Sequence, residues 1–333
     1  MKIEDAGIAE YRVPWVAGDS RRTWTERRGL LLTLRDEDGR IGQGEASPLP
    51  GYSPDTLEDC RGALEAFAAR RQPELDVPSS SMPPAAMFAW TTAVLDLRGQ
   101  RSGRSLASLM GKPTPAIPLA ALLTGGSRET MLASGRAAVA RGVRTLKIKL
   151  GKDLATQLPW LRAIRQDLGD DVEIRLDANG SWSVAEARAN LAALAELRPE
   201  FVEDPVPPAL WPDLGPAPVP LAVDEALGTP YEQGALGARG VRVAVLKPSR
   251  LGDCSRLSQI GVDLVVGHMY EGPVAMAAAS EIALSLPRVR ACGLDRHEAL
   301  SAWDVAPPQI EPDRIVSVGP GLGLPPLRPP VLP

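Results

Sequence analysis

The sequence predicts an α/β fold, a barrel of parallel strands joined to a smaller α+β domain. After residue 114, short apolar segments alternate with helix-like segments about eight times in about 190 residues, which suits a (β/α)8 barrel of the TIM type or a (β/α)7β barrel with an incomplete last unit. Residues 1–114 lack this alternation, and a charged residue ends each of five successive apolar segments. A doubly wound open sheet would gather its polar residues at one switch point instead.

The first 114 residues are predicted to form a separate α+β domain. Apolar residues 29–35 and 41–45 flank a turn, which is typical of a β-hairpin. Ser53 before Pro54 predicts the start of a helix, because Ser caps helix N-termini and Pro suits the first helical turn. A second helix is predicted over residues 85–98.

Residues 115–305 are predicted to form the barrel. Its apolar segments have the length of buried strands, and helix-like segments with N-terminal signals lie between them. Ser183 and Glu186, for example, have the spacing of a capping box. The predicted strands are 117–123, 145–150, 172–179, 201–204, 221–225, 241–247, 263–267 and 291–295.

Charged side chains stand at the ends of five successive predicted strands. From Lys149 the steps to the next three acids and on to Lys247 are 28, 26, 21 and 23 residues, each about one strand-plus-helix unit. The carboxyl ends of barrel strands surround one mouth, where barrel enzymes keep their chemistry. Side chains two apart on a strand face the same way, so both lysines, and Arg175 with Asp177, are expected to point inward. The series is Lys147, Lys149, Arg175, Asp177, Glu203, Asp224 and Lys247.

Three of these side chains are candidate metal ligands. Asp177, Glu203 and Asp224 come from adjacent predicted strands, and three neighbouring carboxylates cannot all stay ionised without a cation. An all-oxygen set favours Mg²⁺, with Mn²⁺ as a second choice, over zinc. Such an ion can bind a substrate carboxylate and stabilise the enediolate formed when the adjacent carbon loses a proton. The alternative interpretation is structural, with buried ion pairs between the acids and the lysines.

The lysines are the candidate acids and bases. Lys149 is crowded by Lys147 and the expected metal ion, which favours its neutral form and predicts that it is the base. Lys147 is expected to tune Lys149 and to contact the substrate carboxylate. Lys247 would face Lys149 across the barrel, as a second acid/base or as a stabilising cation. A Schiff-base lysine is the rival use of such a residue, but it leaves the three carboxylates unexplained.

Composition narrows the class of partner. The 333-residue chain has a formal net charge of −4 without a basic stripe, which argues against nucleic acid. The three cysteines are scattered and fit no metal-binding or redox spacing. Acidic residues stand near the N-terminus, and no apolar run approaches the ~18 residues of a membrane span. We therefore expect a cytoplasmic enzyme acting on a small carboxylate, while the oligomeric state stays open.

These segments resemble the motifs of the enolase superfamily, muconate-lactonizing subgroup, and within it most of all those of the o-succinylbenzoate synthases. The resemblance covers nearly the whole chain. The superfamily motifs are matched by Lys147-Ile148-Lys149, Leu176-Asp177-Ala178-Asn179, Glu203-Asp204-Pro205, Asp224-Glu225 and Val245-Leu246-Lys247-Pro248. The synthase motifs are matched by Gly42-Gln43-Gly44-Glu45-Ala46-Ser47-Pro48-Leu49-Pro50-Gly51-Tyr52-Ser53 and Gly293-Leu294-Asp295.

The resemblance implies a domain arrangement. Residues 1–114 would form a capping domain over the barrel mouth, and residues 306–333 would return to it. Loops near residues 15–28 and 47–54 would close on the substrate.

The resemblance also implies an activity. Asp177, Glu203 and Asp224 would hold Mg²⁺. Water would be removed in syn geometry from 2-succinyl-6-hydroxy-2,4-cyclohexadiene-1-carboxylate to give 2-succinylbenzoate, a step of menaquinone biosynthesis. Lys149 would take the α-proton and return it to the departing hydroxyl, and Lys247 would stabilise the enediolate by a cation–π contact.

Substrate contacts are less specific in the sequence. Where the synthases commonly have serines at the end of the seventh strand, this chain has Gly267-His268-Met269-Tyr270-Glu271-Gly272. His268 could be a substrate contact, a structural residue, or a base like the seventh-strand His of mandelate-racemase-like relatives. His297 is expected to be a surface or loop residue, and Trp24 a possible ligand contact in the loop over the mouth. The expected substrate contacts are Asn179, Arg175, Ser47, Pro50, Tyr52, Gly267, His268 and Gly293.

Other functions stay open at this point. Racemisation of N-acylamino acids or epimerisation of dipeptides would use the same two lysines from opposite faces. Dipeptide epimerases of this superfamily carry Asp-x-Asp on the eighth strand, and Gly293 replaces the first Asp here. A non-catalytic binding barrel predicts lost metal ligands, and none is lost.

Overall fold

The computed structural model describes residues 1–18, 23–69, 82–125, 127–225, 227, 236–237 and 240–330. Positions 19–22 of the predicted loop 15–28, and 331–333 of the C-terminal segment, lie outside the described residues. The strands are β1 Ile3–Gly18, β2 Thr23–Asp36, β3 Ile41–Ala46, β4 Ala116–Pro118, β5 Ala120–Leu122, β6 Thr145–Lys149, β7 Glu173–Asp177, β8 Phe201–Glu203, β9 Leu221–Val223, β10 Val241–Leu246, β11 Asp263–Val266 and β12 Arg314–Val316. The α-helices are α1 Leu57–Ala69, α2 Pro84–Ser102, α3 Leu106–Met110, α4 Arg128–Ala140, α5 Leu154–Leu168, α6 Val184–Leu194, α7 Trp211–Leu214, α8 Pro248–Leu251 and α9 Pro273–Ser285.

The N-terminal domain is built on an antiparallel sheet in the order β1–β2–β3. The predicted hairpin is confirmed, since β2 and β3 pair from Leu30 opposite Ala46 to Arg35 opposite Ile41. Strand β1 pairs along the other edge of β2. The sheet thus places the end of β1, the start of β2 and the residues after β3 at the same end. Residues 15–18 and 23–28 belong to β1 and β2, so the prediction of a loop is wrong for them.

Helices α1 and α2 cover one face of this sheet. Every second residue of β2 faces these helices, because successive side chains of a strand point to opposite faces. The residues concerned, Leu30, Leu32 and Leu34, are fully buried against α1 and α2. A Cβ at Gly44 would lie 1.8 Å from the carbonyl oxygen of Ala89. Glycine at this position therefore lets α2 pack directly on β3.

The predicted start of α1 is wrong by one turn. The helix begins at Leu57, and Thr56 is its cap: the Thr56 hydroxyl accepts from the Asp59 N–H at 3.1 Å, and the Asp59 carboxylate accepts from the Thr56 N–H at 3.1 Å. The Ser53 hydroxyl instead accepts from the Leu49 N–H at 2.8 Å. A reciprocal capping box at Thr56 satisfies two orphan helix donors, whereas Ser53 closes the preceding turn.

The second sheet is a curled parallel sheet of seven strands in the order β5–β6–β7–β8–β9–β10–β11. The predicted strand order and the TIM-like barrel are thereby confirmed, although the first predicted strand is divided into β4 and β5. Leu146 and Ile148 of β6 are buried on the outside, towards the helices, whereas Lys147 and Lys149 alternate with them and face inward. The barrel interior is filled by Phe201, Ala222, Val243, Val245 and Val265.

The predicted eighth strand, 291–295, is not a regular strand of the described chain. Residues 288–293, which we call the closing segment, instead make single bridges. Cys292 bridges to Leu119 and Gly293 to Gly267. The Gly293 N–H donates to the Val266 carbonyl at 2.9 Å, and the Cys292 carbonyl accepts from the Ala120 N–H at 2.8 Å. The segment therefore closes the barrel with an incomplete last unit, as the (β/α)7β alternative predicts.

Helix α9 follows β11 and is buried along almost its whole length. It packs against α3 and β3 on the side of the N-terminal domain and against β11 on the barrel side. A helix that is apolar all round requires such a two-sided environment. Its one acid, Glu281, accepts from the backbone N–H groups of Ala107 and Val318 at 3.0 and 2.9 Å.

The C-terminal segment contacts both parts of the chain. Strand β12 pairs with β4 at the base of the barrel. Farther along, Leu327 and Gln43 exchange two hydrogen bonds of 2.6 and 2.9 Å, and the Leu322 N–H donates to Asp96 at 2.9 Å. These contacts agree with a return of residues 306–333 to the N-terminal domain, while the boundaries 1–114, 115–305 and 306–333 stay predictions. In the described part of the chain, no helix combines the length and apolarity needed to cross a bilayer.

Candidate active site

A cavity of about 550 Å³ lies at the carboxyl ends of the barrel strands, beneath residues of the N-terminal domain. Its position is the one expected for barrel chemistry. The domain above it contributes Trp15, Trp24, Leu49 and Tyr52. The barrel rim contributes Lys147, Lys149, Asp177, Glu203, Asp224 and Lys247.

Strand register brings the acids together. Lys149 of β6 stands opposite Asp177 of β7, which stands opposite Glu203 of β8. Asp224 directly follows β9, the next strand of the sheet. All three carboxylates are buried. Neighbouring strand ends therefore supply three oxygen donors at one level of the barrel.

Lys147 occupies the space between two of these acids. Its ammonium lies 2.8 Å from Asp177 and 2.8–2.9 Å from both carboxylate oxygens of Glu203. Burial alone would lower the pKa of Lys147, but the charges of Asp177 and Glu203 outweigh it and raise the pKa well above the usual range. Burial, followed by the charge of Asp177, raises the pKa of Glu203 to about 7 against the opposing effect of Lys147. The acids thus repel one another and are held by a cation.

Lys247 holds the third acid. Its ammonium lies 2.6 Å from Asp224, and the Tyr52 hydroxyl donates to the other oxygen of the same carboxylate at 3.2 Å. Burial would raise the pKa of Asp224, yet the charges of Lys247 and then Lys147 lower it overall. Among the described residues, no three carboxylate, imidazole or thiolate groups are arranged around a single ion position. The acids are instead distributed between two lysines.

Lys149 differs from the other two lysines. It lines the cavity, but it makes no hydrogen bond or ion pair with any residue that the structure describes. Since β6 and β10 are four positions apart in a barrel of seven strands and a closing segment, Lys149 and Lys247 approach from opposite sides. A group held between them has an unpaired amine on one face and a carboxylate-bound ammonium on the other.

Asp204 supports the acids. The sequence predicts no role of its own for this residue. It is buried with a φ of 41°, and its carboxylate accepts from the backbone N–H groups of Asp224 at 3.3 Å and Glu225 at 2.7 Å. Burial, and then the charge of Asp224, raises its pKa well above the usual value. The left-handed backbone turns this side chain under the end of β9 and so fixes where Asp224 points. The motif Glu203-Asp204-Pro205 was the available signal.

The structure brings six of the eight predicted substrate contacts to the cavity and leaves two away from it. Ser47 is fully buried behind Glu45, to which its hydroxyl donates at 2.6 Å, and Pro50 is exposed with its carbonyl bound to Trp24 Nε1 at 3.0 Å. Neither belongs to the cavity lining, which corrects the expected position of both. The six that line it are Arg175, Asn179, Tyr52, Gly267, His268 and Gly293.

Arg175 points into the barrel as expected, but its guanidinium is already bound. It donates to Glu200 at 2.6 and 3.3 Å and to the Ala291 carbonyl at 2.6 Å, and it lies over the ring of Phe201. These partners tie β7 to the closing segment. A substrate contact by Arg175 would have to compete with them, so its contribution stays a prediction.

Two histidines line the cavity from the chain after β11 and after the closing segment. His268 Nδ1 accepts from the Tyr270 N–H at 3.0 Å, and its ring lies 4.6 Å from that of His297. His297 is on a loop, as predicted, but its ring is largely buried and lines the cavity rather than facing solvent. Neither nitrogen of His297 makes a hydrogen bond of normal geometry with the described residues, and burial lowers its pKa to about 4.

The N-terminal domain holds the segment that carries His268. The buried guanidinium of Arg27 donates to the carbonyls of Met269 at 3.2 Å and Tyr270 at 3.1 Å. Glu45 accepts from the N–H groups of Gly272 and Ala275 at 2.6 and 3.0 Å, and so caps the first turn of α9 from the other domain. We call Arg27 and Glu45 the interdomain latch. Neither residue was predicted as functional.

The fold and the rim define the class of protein, a TIM-like barrel enzyme whose chemistry lies between the barrel and a separate N-terminal domain. Residues 130–328 match the family described as enolase C-terminal domain-like, and residues 4–97 match that described as MenC, N-terminal domain. The chain belongs to the enolase superfamily, muconate-lactonizing subgroup. The resemblance predicted from the motifs is confirmed.

Relatives of two activities are about equally similar to the chain. The L-Lys-D/L-Arg epimerase of Methylococcus capsulatus is 31% identical, covering 97% of this chain and 99% of its own. The o-succinylbenzoate synthase of Thermosynechococcus vestitus is also 31% identical, covering 77% of this chain and 80% of its own. A solved dipeptide epimerase from Methylococcus capsulatus, complexed with Mg and the dipeptide L-Arg-D-Lys, superimposes with a TM-score of 0.83 at 26% identity, covering 97% of this chain and 99% of that structure.

Proposed function

We propose that this protein is an o-succinylbenzoate synthase that removes a proton next to a carboxylate and then eliminates water. The observation that carries the chemistry is the rim itself: three buried acids on neighbouring strands stand between Lys149 and Lys247, which approach from opposite sides. Proton abstraction beside a carboxylate needs a positioned base and a means to stabilise the enediolate. The rim offers both.

The donor set fits a hard divalent cation. Asp177, Glu203 and Asp224 supply only carboxylate oxygens, which are the donors that Mg²⁺ prefers. Burial and the charge of Asp177 raise the pKa of Glu203, which is the effect expected where carboxylates crowd one another and a cation would be favoured. Lys147 lies at 2.8 Å between two of them. We infer that the three acids would hold Mg²⁺, or Mn²⁺, with Lys147 moving aside. Bound there, the ion would supply charge stabilisation to a substrate carboxylate.

The lysines divide the remaining work. Lys149 has no carboxylate partner among the described residues, so it is the amine best placed to take the α-proton and return it to the departing hydroxyl as water leaves. Lys247, fixed on Asp224, stabilises negative charge developing on the ring. Lys147 orients the substrate carboxylate. Every atom is accounted for, because the α-hydrogen and the hydroxyl leave together as water.

Two observations support dehydration over dipeptide epimerisation. Gly293 has no carboxylate to bind an ammonium group, and Asp295, the second acid of the epimerase motif, is bound by Arg141 at 2.5 and 3.2 Å. The match of residues 4–97 to the MenC N-terminal family agrees with this. Dipeptide epimerisation is the second candidate, because the epimerase from Methylococcus capsulatus matches the chain over its full length. Racemisation of N-acylamino acids could use the same lysines.

A paired assay tests the proposal. The Mg²⁺-loaded protein is given the cyclohexadiene substrate, with ultraviolet detection of the aromatic product, beside a panel of dipeptides and N-succinylamino acids in D₂O. Aromatic product formation much faster than deuterium incorporation into the panel would support the synthase. Epimerisation of a dipeptide without dehydration of the diene would overturn it.

A further inference from the structure

The two ends of the cavity offer a ligand different chemistry. The acids and lysines occupy one end, and aromatic and sulfur-containing side chains with two histidines occupy the other. The members of this second group, which we call the histidine wall, are Trp15, Trp24, His268, Met269, Tyr270 and His297. A substrate anchored by its carboxylate at the acids would extend its distal part towards this wall.

His268 has a defined tautomer. Its Nδ1 accepts from the Tyr270 N–H at 3.0 Å, and a ring nitrogen that accepts cannot carry the proton. The proton of the neutral ring is therefore on Nε2, and this nitrogen makes no hydrogen bond with a described residue and is not sealed from the cavity. The ring is thus a fixed donor. It is not set up as a base, because its lone pair is directed at the backbone.

The surroundings of His268 are positive. After burial and the neighbouring imidazole of His297, the cations that lower its pKa are Lys247, Lys147 and Arg27. An ammonium ion would therefore be repelled from this position, whereas a carbonyl or carboxylate oxygen would be attracted. The ring is also held in place. Tyr270 is bound through its carbonyl by Arg27, and the His297 ring packs against His268 at 4.6 Å with its plane tilted by 38°.

His297 supports the ring without offering a contact of its own. Both of its nitrogens are buried without a hydrogen bond of normal geometry to the described residues, although the Glu271 backbone is close enough to oppose the fall in the ring's pKa. The nitrogens are sealed from the cavity although the ring lines it. A ligand could reach them only if the wall moved. His297 is therefore a positioning residue for the His268 ring and not a ligand contact.

We propose that His268 is a specificity-determining residue that donates Nε2–H to an acceptor oxygen on the distal tail of the substrate. This inference rests on the proposed function, in which the tail is the succinyl group with its keto and carboxylate oxygens. It names the class of substrate as one with an acceptor-bearing tail, and it excludes a tail that ends in an ammonium group. It also assigns the seventh-strand histidine to binding rather than to proton abstraction.

Two substitutions separate the two nitrogens of the ring. His268→Asn keeps an oxygen near the position of Nδ1, which can still accept from Tyr270, but it removes the distal donor. His268→Gln places an amide N–H near the position of Nε2 and keeps the donor. His297→Leu removes the ring that packs against His268 but no cavity-facing polar atom.

The first experiment measures binding of three products or analogues to the Mg²⁺-loaded protein by tryptophan fluorescence. The probes are 2-succinylbenzoate, 2-acetylbenzoate, which keeps only the keto oxygen, and benzoate, which has no tail. We expect His268→Asn to weaken the binding of 2-succinylbenzoate by about tenfold, which is the size of effect typical of a lost hydrogen bond to a charged acceptor, while the binding of benzoate is unchanged. His268→Gln should stay within about threefold of wild type, and so should Glu58→Gln on the exposed face of α1, which is not part of the cavity lining. A loss for 2-acetylbenzoate as well would identify the keto oxygen as the acceptor.

The second experiment measures the tautomer of the His268 ring by NMR. The chain has two histidines, so histidine-selective ¹⁵N labelling of the tag-free protein gives two imidazoles, assigned with His297→Leu. The structure requires the Nε2–H tautomer for His268 and a shift of this nitrogen when 2-succinylbenzoate binds, without a shift for benzoate. The Nδ1–H tautomer, or equal weakening of tailed and tailless probes by His268→Asn, would overturn the proposal.

Failure of the proposed function gives a different result. If wild type neither dehydrates the diene nor binds 2-succinylbenzoate, the synthase proposal fails while the His268 donor is still testable. The same variants are then compared on an N-acylamino acid, whose acyl oxygen is an acceptor, and on the free amino acid, whose ammonium is not. Selective weakening of the acylated ligand by His268→Asn would support the donor role, and equal affinity across the variants would refute it.

Discussion

The acid end of the cavity and the histidine wall are built in opposite ways. At the acid end, side chains come from consecutive strands in parallel register, and Asp177, Glu203 and Asp224 are each paired with Lys147 or Lys247, whereas Lys149 has no described partner. At the histidine wall, Arg27 and Glu45 of the other domain fix the segment after β11. The polar side chains of the wall are neutral rings. The acid end is thus built almost entirely by the barrel, with one hydrogen bond from Tyr52 of the N-terminal domain to Asp224, whereas the position of the histidine wall depends on how the N-terminal domain sits on the barrel.

Metal removal should have the largest effect and should affect only the acid end. Without a divalent ion, turnover of every substrate should fall to background, by at least ~10³-fold, because charge stabilisation worth several kcal/mol is lost. Dialysis against chelator followed by addition of Mg²⁺ or Mn²⁺ measures this. Full turnover in chelator would show that the acids serve only their ion pairs with the lysines.

Lys149→Ala should abolish proton abstraction while leaving the acid end assembled. Loss of a positioned base is expected to slow the reaction by ~10²–10⁴-fold. The measurement is α-hydrogen exchange in D₂O, together with metal binding by calorimetry. Lys152→Ala, at the surface beyond the same strand, is the control. Exchange at the wild-type rate in Lys149→Ala would show that another residue is the base. Weakened metal binding would show that the arrangement of the acids depends on this lysine.

The difference between the two ends also explains what could be predicted from sequence. Strand-end charges such as Asp177 and Glu203 lie about one β–α unit apart, so the repeat itself indicates that they meet. Arg27 and Glu45 act on residues more than 220 positions away, and no local pattern in the chain signals such contacts. Glu45 lies in a motif that predicts a substrate loop. In the structure it belongs to β3, and its carboxylate caps α9.

Smaller errors have equally local causes. Ser53-Pro54 has the composition of a helix start, yet Thr56 with Asp59 completes a reciprocal cap and decides the boundary. The predicted strand 291–295 is apolar enough to be a strand, but Gly293 makes only one bridge to Gly267. The burial of His297 against His268 depends on the loop after this segment, for which sequence gives no geometric signal.

Breaking the interdomain latch should affect the histidine wall more than the acid end. Glu45→Gln replaces an acceptor with an N–H donor opposite the donors of Gly272 and Ala275. A buried group left without its partner costs about 1–3 kcal/mol, so we expect lower thermal stability and weaker binding of 2-succinylbenzoate, with α-hydrogen exchange at saturating substrate little changed. Glu58→Gln on the exposed face of α1 is the control. An equal loss of exchange would show that the two ends are not independent.

Two glycines that bridge to each other give a more local comparison. A Cβ at Gly267 would lie 3.3 Å from Cε and 3.4 Å from Nζ of Lys247, whereas a Cβ at Gly293 would meet only the Gly267 Cα at 4.0 Å. Gly267→Ala should therefore push Lys247 by a few tenths of an ångström and lower kcat by about tenfold, in the range that misplacement near the chemistry produces. Gly293→Ala should change kcat by less than about twofold. Equal effects of the two variants on kcat would show that Lys247 is not sensitive to its position.

The smallest effect concerns pH and the buried ring of His297. Its folded pKa of about 4 lies below the ordinary value near 6.5, so the unfolded chain binds more protons between these values, and stability is full above the ordinary value and falls as pH drops towards 4. Between pH 6.5 and 5 this amounts to roughly 2 kcal/mol at most. Thermal unfolding midpoints of wild type and His297→Leu across this window isolate the contribution, because the acids titrate in both proteins. We expect the Leu variant to lose less stability than wild type on acidification. Parallel pH profiles of the two proteins would mean that the ring is protonated in the folded state without a loss of stability. The histidine wall would then be more open to water than its packing indicates.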